Sequence, residues 1–176
     1  MADTWKSDAV KSGVAGDAVI PAGVLLCRTG YWNSADQAIN TGDTLQMVPV
    51  PKGAQIQGLV LNFNAGGASA AITGVGDGTL TTRFIGAIAG VYEGMVSWGC
   101  CGISINGGVG GFSLLTTTLI IGTIGTTQFN GAFNYEYTAA DTIDILVGNE
   151  GDTWDSAGIF KLSVFYKREG ALADET

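Results

Sequence analysis

The chain has 176 residues, 28 of them glycine and none histidine; 46% are apolar, 14% are charged, and the formal charge is −8. This length suits one domain with a sizeable core, the apolar content argues against a disordered chain, and glycine without a Gly-X-Y period excludes collagen. Without histidine there is no Ser-His-Asp or Cys-His catalysis and no imidazole metal site, and 8 scattered basic residues against 16 acidic ones argue against nucleic-acid binding.

From Met1 to Lys6 no basic stretch leads into an apolar one, so no signal peptide is expected. Residues 1–20 mix small, charged and β-branched types without alternation. They are expected to form an extended arm ordered against a neighbour, with Trp5 as aromatic anchor and Val10 and Val14 as further contacts. Strands are expected at 24–28 and 44–48, with a short helical turn over 34–39 between them. Residues 55–64 alternate, with Leu59, Leu61 and Phe63 on one face. Strands at 70–75 and 81–85 follow. From Phe84 to Ile105 the only charge is Glu93, but glycines at 86, 90, 94, 99 and 102 interrupt the segment. A transmembrane helix needs about 20 strongly apolar residues, so a buried strand pair or a packed oligomer surface is expected here, with a strand over 92–98.

Gly107-Gly-Val-Gly-Gly reads as a flexible loop; no Lys-Ser/Thr follows it, so it is no phosphate cradle. Strands at 112–121 and 132–137 come next. Over 142–147, Ile143, Ile145 and Val147 should point inward and Asp144 outward. Over 159–167, Phe160, Leu162, Val164 and Tyr166 form one face, with Lys161, Ser163 and Lys167 on the other. Turn chemistry separates these strands, as in Asn40-Thr-Gly-Asp, Pro51-Lys-Gly and Gly76-Asp-Gly. About eight to ten short strands so punctuated imply an all-β, antiparallel β-sandwich or barrel. The sandwich is expected over 21–170, with a glycine-rich insert at about 86–111, the arm at 1–20 and a tail at 171–176. Thr41 to Val48 faintly resembles Ala139 to Leu146, a pattern that also arises by chance in Thr-rich strands.

Candidate chemistry is sparse. Cys27, Cys100 and Cys101 are expected to be reduced, because adjacent cysteines rarely bridge each other. Carboxylates such as Asp77, Asp141 and Asp144 sit in turns or on strand faces; Glu93 is the exception, with Arg83 or Arg28 as its expected partner. Glu150, Asp152 and Asp155 gather in one loop but lack EF-hand spacing, so an ordinary acidic turn is weighed against a calcium site. Tyr31, Trp32, Trp98 and Trp154 are weighed as sugar-stacking aromatics against plain packing. Tyr135 and Tyr137, spaced to share one sheet face, are the strongest pair of that kind.

Two blocks carry a family resemblance. One is Asp43-Thr-Leu-Gln-Met-Val-Pro-Val-Pro-Lys-Gly-Ala-Gln-Ile, followed by a strand and Val75-Gly-Asp-Gly-Thr-Leu-Thr-Thr-Arg-Phe-Ile. The other is Tyr137-Thr-Ala-Ala-Asp-Thr-Ile-Asp-Ile, ending in Gly158-Ile-Phe-Lys-Leu-Ser-Val-Phe-Tyr. Together, over about residues 40 to 167, they resemble small β-sandwich virion proteins of tailed bacteriophages, in particular capsid decoration or cement proteins. The insert from Gly86 to Gly111 departs from that pattern. The resemblance implies a jelly-roll-like sandwich, a homotrimer on the virion's capsid surface, assembled in the host cytoplasm, with the major capsid protein as partner. It implies no enzymatic activity, cofactor, nucleic acid, membrane or small-molecule substrate. Contacts are expected from Trp5, Val10 and Val14 of the arm and from Phe84, Ile88, Val91, Tyr92, Met95 and Trp98. The alternative is a tail or head fibre component that binds a host glycan through Tyr135 and Tyr137.

Overall fold

The computed structural model describes residues 3–12, 24–33, 35, 39–40, 42–64, 70–86, 88–91, 93–99, 102–107, 113–114, 134–148 and 158–168, with backbone alone at 64, 70–71 and 88–114. The strands are β1 (Thr4–Lys6), β2 (Leu26–Asn33), β3 (Thr44–Val50), β4 (Ala54–Asn64), β5 (Ala70–Gly76), β6 (Ile88–Val91), β7 (Glu93–Gly99), β8 (Gly102–Gly107), β9 (Ser113–Leu114), β10 (Asp141–Gly148) and β11 (Ile159–Arg168). A short helix, α1 (Asp8–Lys11), follows β1. A 5-stranded sheet runs β1-β3-β10-β5-β6 and a 6-stranded sheet runs β2-β11-β4-β7-β8-β9. All pairings are antiparallel except β1 with β3. The fold is therefore an all-β sandwich.

The alternation read from the sequence places the core. Leu59, Leu61 and Phe63 of β4 face Val164, Leu162 and Phe160 of β11, and all six are buried. Ile143, Ile145 and Val147 of β10 and Leu45, Val48 and Val50 of β3 line the opposite sheet. A tight turn at Pro51-Lys52-Gly53 carries the chain from one sheet to the other; Gly53 sits at φ 77°, a conformation that costs any residue with a Cβ. The two segments of faint likeness fall on β3 and β10, which pair with each other.

One bulge organises the N-terminal side. Ile143 lies opposite Val48 and Asp144 opposite Gln46, so Met47 is the extra residue on β3. Its carbonyl points at β2, where a Cβ on Gly30 would collide with it, so only glycine fits. The Ser7 hydroxyl donates to that carbonyl at 2.5 Å and accepts from the Val10 amide, which makes Ser7 the N-cap of α1. Residues 3–12, expected as an arm reaching a neighbour, thus pack on the chain's own sheets; the absence of alternation misleads because a 3-residue strand and one helical turn carry no period. The helical turn expected over 34–39 falls mostly outside the described residues.

The strand expected over 81–85 is absent, and the one expected over 132–137 is not seen in its described part, from Asn134 on. Residues 81–85 form a turn that lies across Gly74 and Gly76 of β5 and joins its ladder through one bridge, Val75 to Ile85; Glu136 makes a single bridge to Gln55. Asp144 alternates away from the core as expected, yet is only 6% exposed. Its neighbour across the ladder is Gly76, and the Leu80 carbonyl lies over Gly76 where a Cβ would be. The turn from Asp77 to Arg83 therefore folds back over the outer side of β5 and shields Asp144 from water.

Candidate functional site

The densest polar constellation among the described residues centres on Asp77. Its carboxylate accepts from the Thr79 and Leu80 amides at 3.0 and 2.8 Å, from Arg83 Nε at 2.5 Å and from the Tyr137 hydroxyl at 3.1 Å. The Arg83 guanidinium lies 3.9 Å from the centre of the Tyr135 ring, a cation–π contact, and Tyr135 meets Tyr137 edge-on at 5.0 Å. Burial alone would raise the Asp77 carboxyl, but the Arg83 guanidinium and the Leu80 and Thr79 amides outweigh it and hold it below the usual range. Burial and the Asp77 charge push the Tyr137 phenol far up, so it stays a neutral donor. With each carboxylate oxygen already accepting, Asp77 has no lone pair directed at a substrate or metal. The cluster clasps the turn to residues 134–140.

That geometry corrects the sugar-stacking reading of Tyr135 and Tyr137. The i, i+2 spacing does bring both rings together, but Tyr137 is only 3% exposed and Arg83 covers the Tyr135 face. Arg83 pairs with Asp77, and Arg28 donates to the Pro49 carbonyl; the side chain of Glu93, for which either was the expected partner, lies outside the described residues. Phe84, expected at a contact surface, is 0% exposed and belongs to the core. Ile88 and Val91 lie on β6; Met95 and Trp98 lie on β7, at the register positions of Asn62 and Leu59. Val14, Tyr92, Trp154, Cys100, Cys101 and the loop of Glu150, Asp152 and Asp155 fall outside the described residues. Among the described residues, no three His, Cys, Asp or Glu side chains gather as a metal site. No described helix is long and apolar enough to cross a membrane. Cys27 is a free, exposed thiol.

A second centre, which sequence reasoning missed, is Asp43. Fully buried, it accepts from the Asp3 amide at 2.9 Å, the Trp5 indole at 3.0 Å and the Asn40 amide at 2.8 Å. Burial would raise this carboxyl, but the Asp3 and Asn40 amides and then the Trp5 indole more than offset it and leave it lowered. Trp5 thus ties β1 to Asp43 of its own chain. In the sequence Asp43 reads only as a turn residue, since its partners lie up to 40 positions away. Val10 sits half-buried on α1.

No protein-family model and no curated protein matches this sequence. Among solved structures, a chain described as "Capsid of Ralstonia phage GP4" superposes with a TM-score of 0.55 at 14% identity, covering 96% of this chain and 99% of that one. A chain described as "Cyanophage Pam1 capsid asymmetric unit" gives a TM-score of 0.47 at 18% identity, covering 88% and 92%. The likeness to the Ralstonia phage GP4 chain runs nearly end to end, and at that identity it is a likeness of fold.

Proposed function

We propose that this chain is a structural protein of a tailed-bacteriophage virion, a decoration protein that binds the outer capsid surface and stabilises the shell. The observation that carries this reading is the near-complete fold match to a chain of the Ralstonia phage GP4 capsid, at 96% and 99% coverage. The Asp77 and Asp43 carboxylates, each consumed by internal donors, support a role without chemistry. The strand order supports a jelly roll: β2-β11-β4-β7 faces β3-β10-β5-β6, so successive strands from β2 to β5 alternate between sheets. The partner is the major capsid protein and the working unit a homotrimer. Many weak contacts repeated over a shell then give strong binding to the particle.

In this reading the segment from Ile88 to Trp98, including Tyr92, carries the capsid contacts, and residues 3–12 are part of the body that presents it. The test is co-sedimentation of the purified chain with capsids of the encoding phage assembled without it. Stoichiometric binding that raises the temperature of capsid disruption is expected. Recovery of the chain only in the supernatant, with virions free of it by mass spectrometry, overturns the reading.

A further inference from the structure

On the side of the sandwich where α1 covers the gap between β1 and β2 lies an open cleft of about 170 Å³. Its lining comes from Trp5, Lys6, Asp8 and Lys11 on one side and from Tyr31, Trp32 and Asn33 of β2 on the other; the Tyr31 ring faces out, while Trp32 turns into the core and forms the floor. The walls are fixed without any ligand. Trp5 is held by its indole bond to Asp43, and Trp32 packs at 6.3 Å against Phe160 in the core. Asp8 accepts from the Tyr31 amide at 2.7 Å, tying α1 to the edge of β2. Tyr31 is 40% exposed, so its ring is available.

The charges here are unlike those of the rest of the molecule. In a chain of formal charge −8, two of its 8 basic residues line one small cleft, both exposed, and neither makes an ion pair among the described residues. Asp8 beside the two ammonium groups gives the cleft acceptors as well as donors; a bare phosphate or a run of acidic side chains, having no hydroxyl hydrogens to give, would leave those acceptors unused. A ring that carries both hydroxyls and a carboxylate uses every group: the exposed Tyr31 ring takes its C–H face, Asp8 accepts from hydroxyls, and the two ammonium groups donate to the carboxylate. Small-molecule sites commonly enclose about 300–1,000 Å³, so this smaller cleft suits a single ring, the terminal unit of a chain.

We propose that this cleft binds a carboxylated sugar residue, a uronic acid or similar acidic pyranose, at the end of a surface polysaccharide. This goes beyond the capsid-binding role and does not depend on it.

The test is titration of the full chain with galacturonic acid oligosaccharides, followed by amide and indole NMR shifts. Neutral galactose oligosaccharides and a glutamate peptide serve as comparisons. Saturable shifts at the Trp5 indole and the Tyr31 amide are expected with the acidic sugar. Lys11→Gln should weaken binding about tenfold, and Tyr31→Ala by a similar factor, with both variants folded because both side chains are exposed. Equal binding of neutral and acidic sugars, equal binding of the glutamate peptide, affinities unmoved by both variants, or no saturation at all would each overturn the proposal.

Discussion

Replacing Asp144 by asparagine should make the protein more stable at neutral pH and barely change it in mild acid. Asp144 is 6% exposed and its Oδ1 has no hydrogen-bond partner. Burial, followed by the nearby Asp141 and Asp77 charges, pushes its carboxyl up to about 7, against a hydrogen bond from Thr142. In the unfolded chain the same group ionises near its ordinary value of 3.8. Between these two values the folded state holds a proton that the unfolded state has lost, so stability falls as pH rises from about 4 to 7 and then levels off. A displacement of that size corresponds to roughly 4 kcal/mol, an upper bound for what a neutral amide in its place recovers at pH 8. At pH 4.5 the parent carboxyl is already neutral, and the variant should lie within about 1 kcal/mol of it. Urea unfolding followed by tryptophan fluorescence at pH 4.5, 6 and 8 measures this, with the slope m serving to check that the unfolded state is unchanged. If Asp144→Asn lowers stability at pH 8, or if parent and variant share one pH dependence across this window, the account of Asp144 as a buried, uncompensated charge is wrong.

Two further predictions concern the turn that shields it. A Cβ at Gly76 would collide with the Leu80 carbonyl, whereas Gly78 faces open space. Gly76→Ala should therefore cost about 3 kcal/mol or more in urea unfolding and Gly78→Ala less than about 0.5. Asp77→Asn leaves Arg83 without its carboxylate and should cost about 3 kcal/mol at pH 7. Because the Asp77 carboxyl is held low, that loss should begin to shrink below about pH 4, where the unfolded chain takes up the proton, and disappear as pH falls through the lowered folded value.

The regular strands are legible because their partners matter little to their pattern. Phe160, Leu162, Val164 and Tyr166 alternate against any apolar sheet, and β11 lies where the period puts it. Residues 81–85 also read as a strand, but Gly74 and Gly76 leave room for that segment to lie across β5 instead of beside it. The glycines record that close approach, yet a sequence does not say which backbone fills the space. Asp43, Asp77 and Asp144 show the same limit more sharply. All three read as polar turn or surface residues, and all three are buried, two with full sets of donors and one without. What separates them is distant neighbours, which local pattern does not carry. Tyr31 and Trp32 are visible as aromatics, but nothing local joins them to Lys6 and Lys11 across about twenty residues or more.

The places of β10 and β11 bear on how the chain is made. They come after the other strands, yet β10 sits between β3 and β5 and β11 between β2 and β4. Until Asp141 to Arg168 has left the ribosome, neither sheet has its middle, and four strands wait with unpaired edges. Pairings of such sequence separation are slow to close, and open edges invite association between nascent chains. Synthesis from the N-terminus therefore cannot assemble this sandwich piece by piece. Folding waits for these two strands, and a message truncated before residue 141 yields an aggregate rather than a smaller domain.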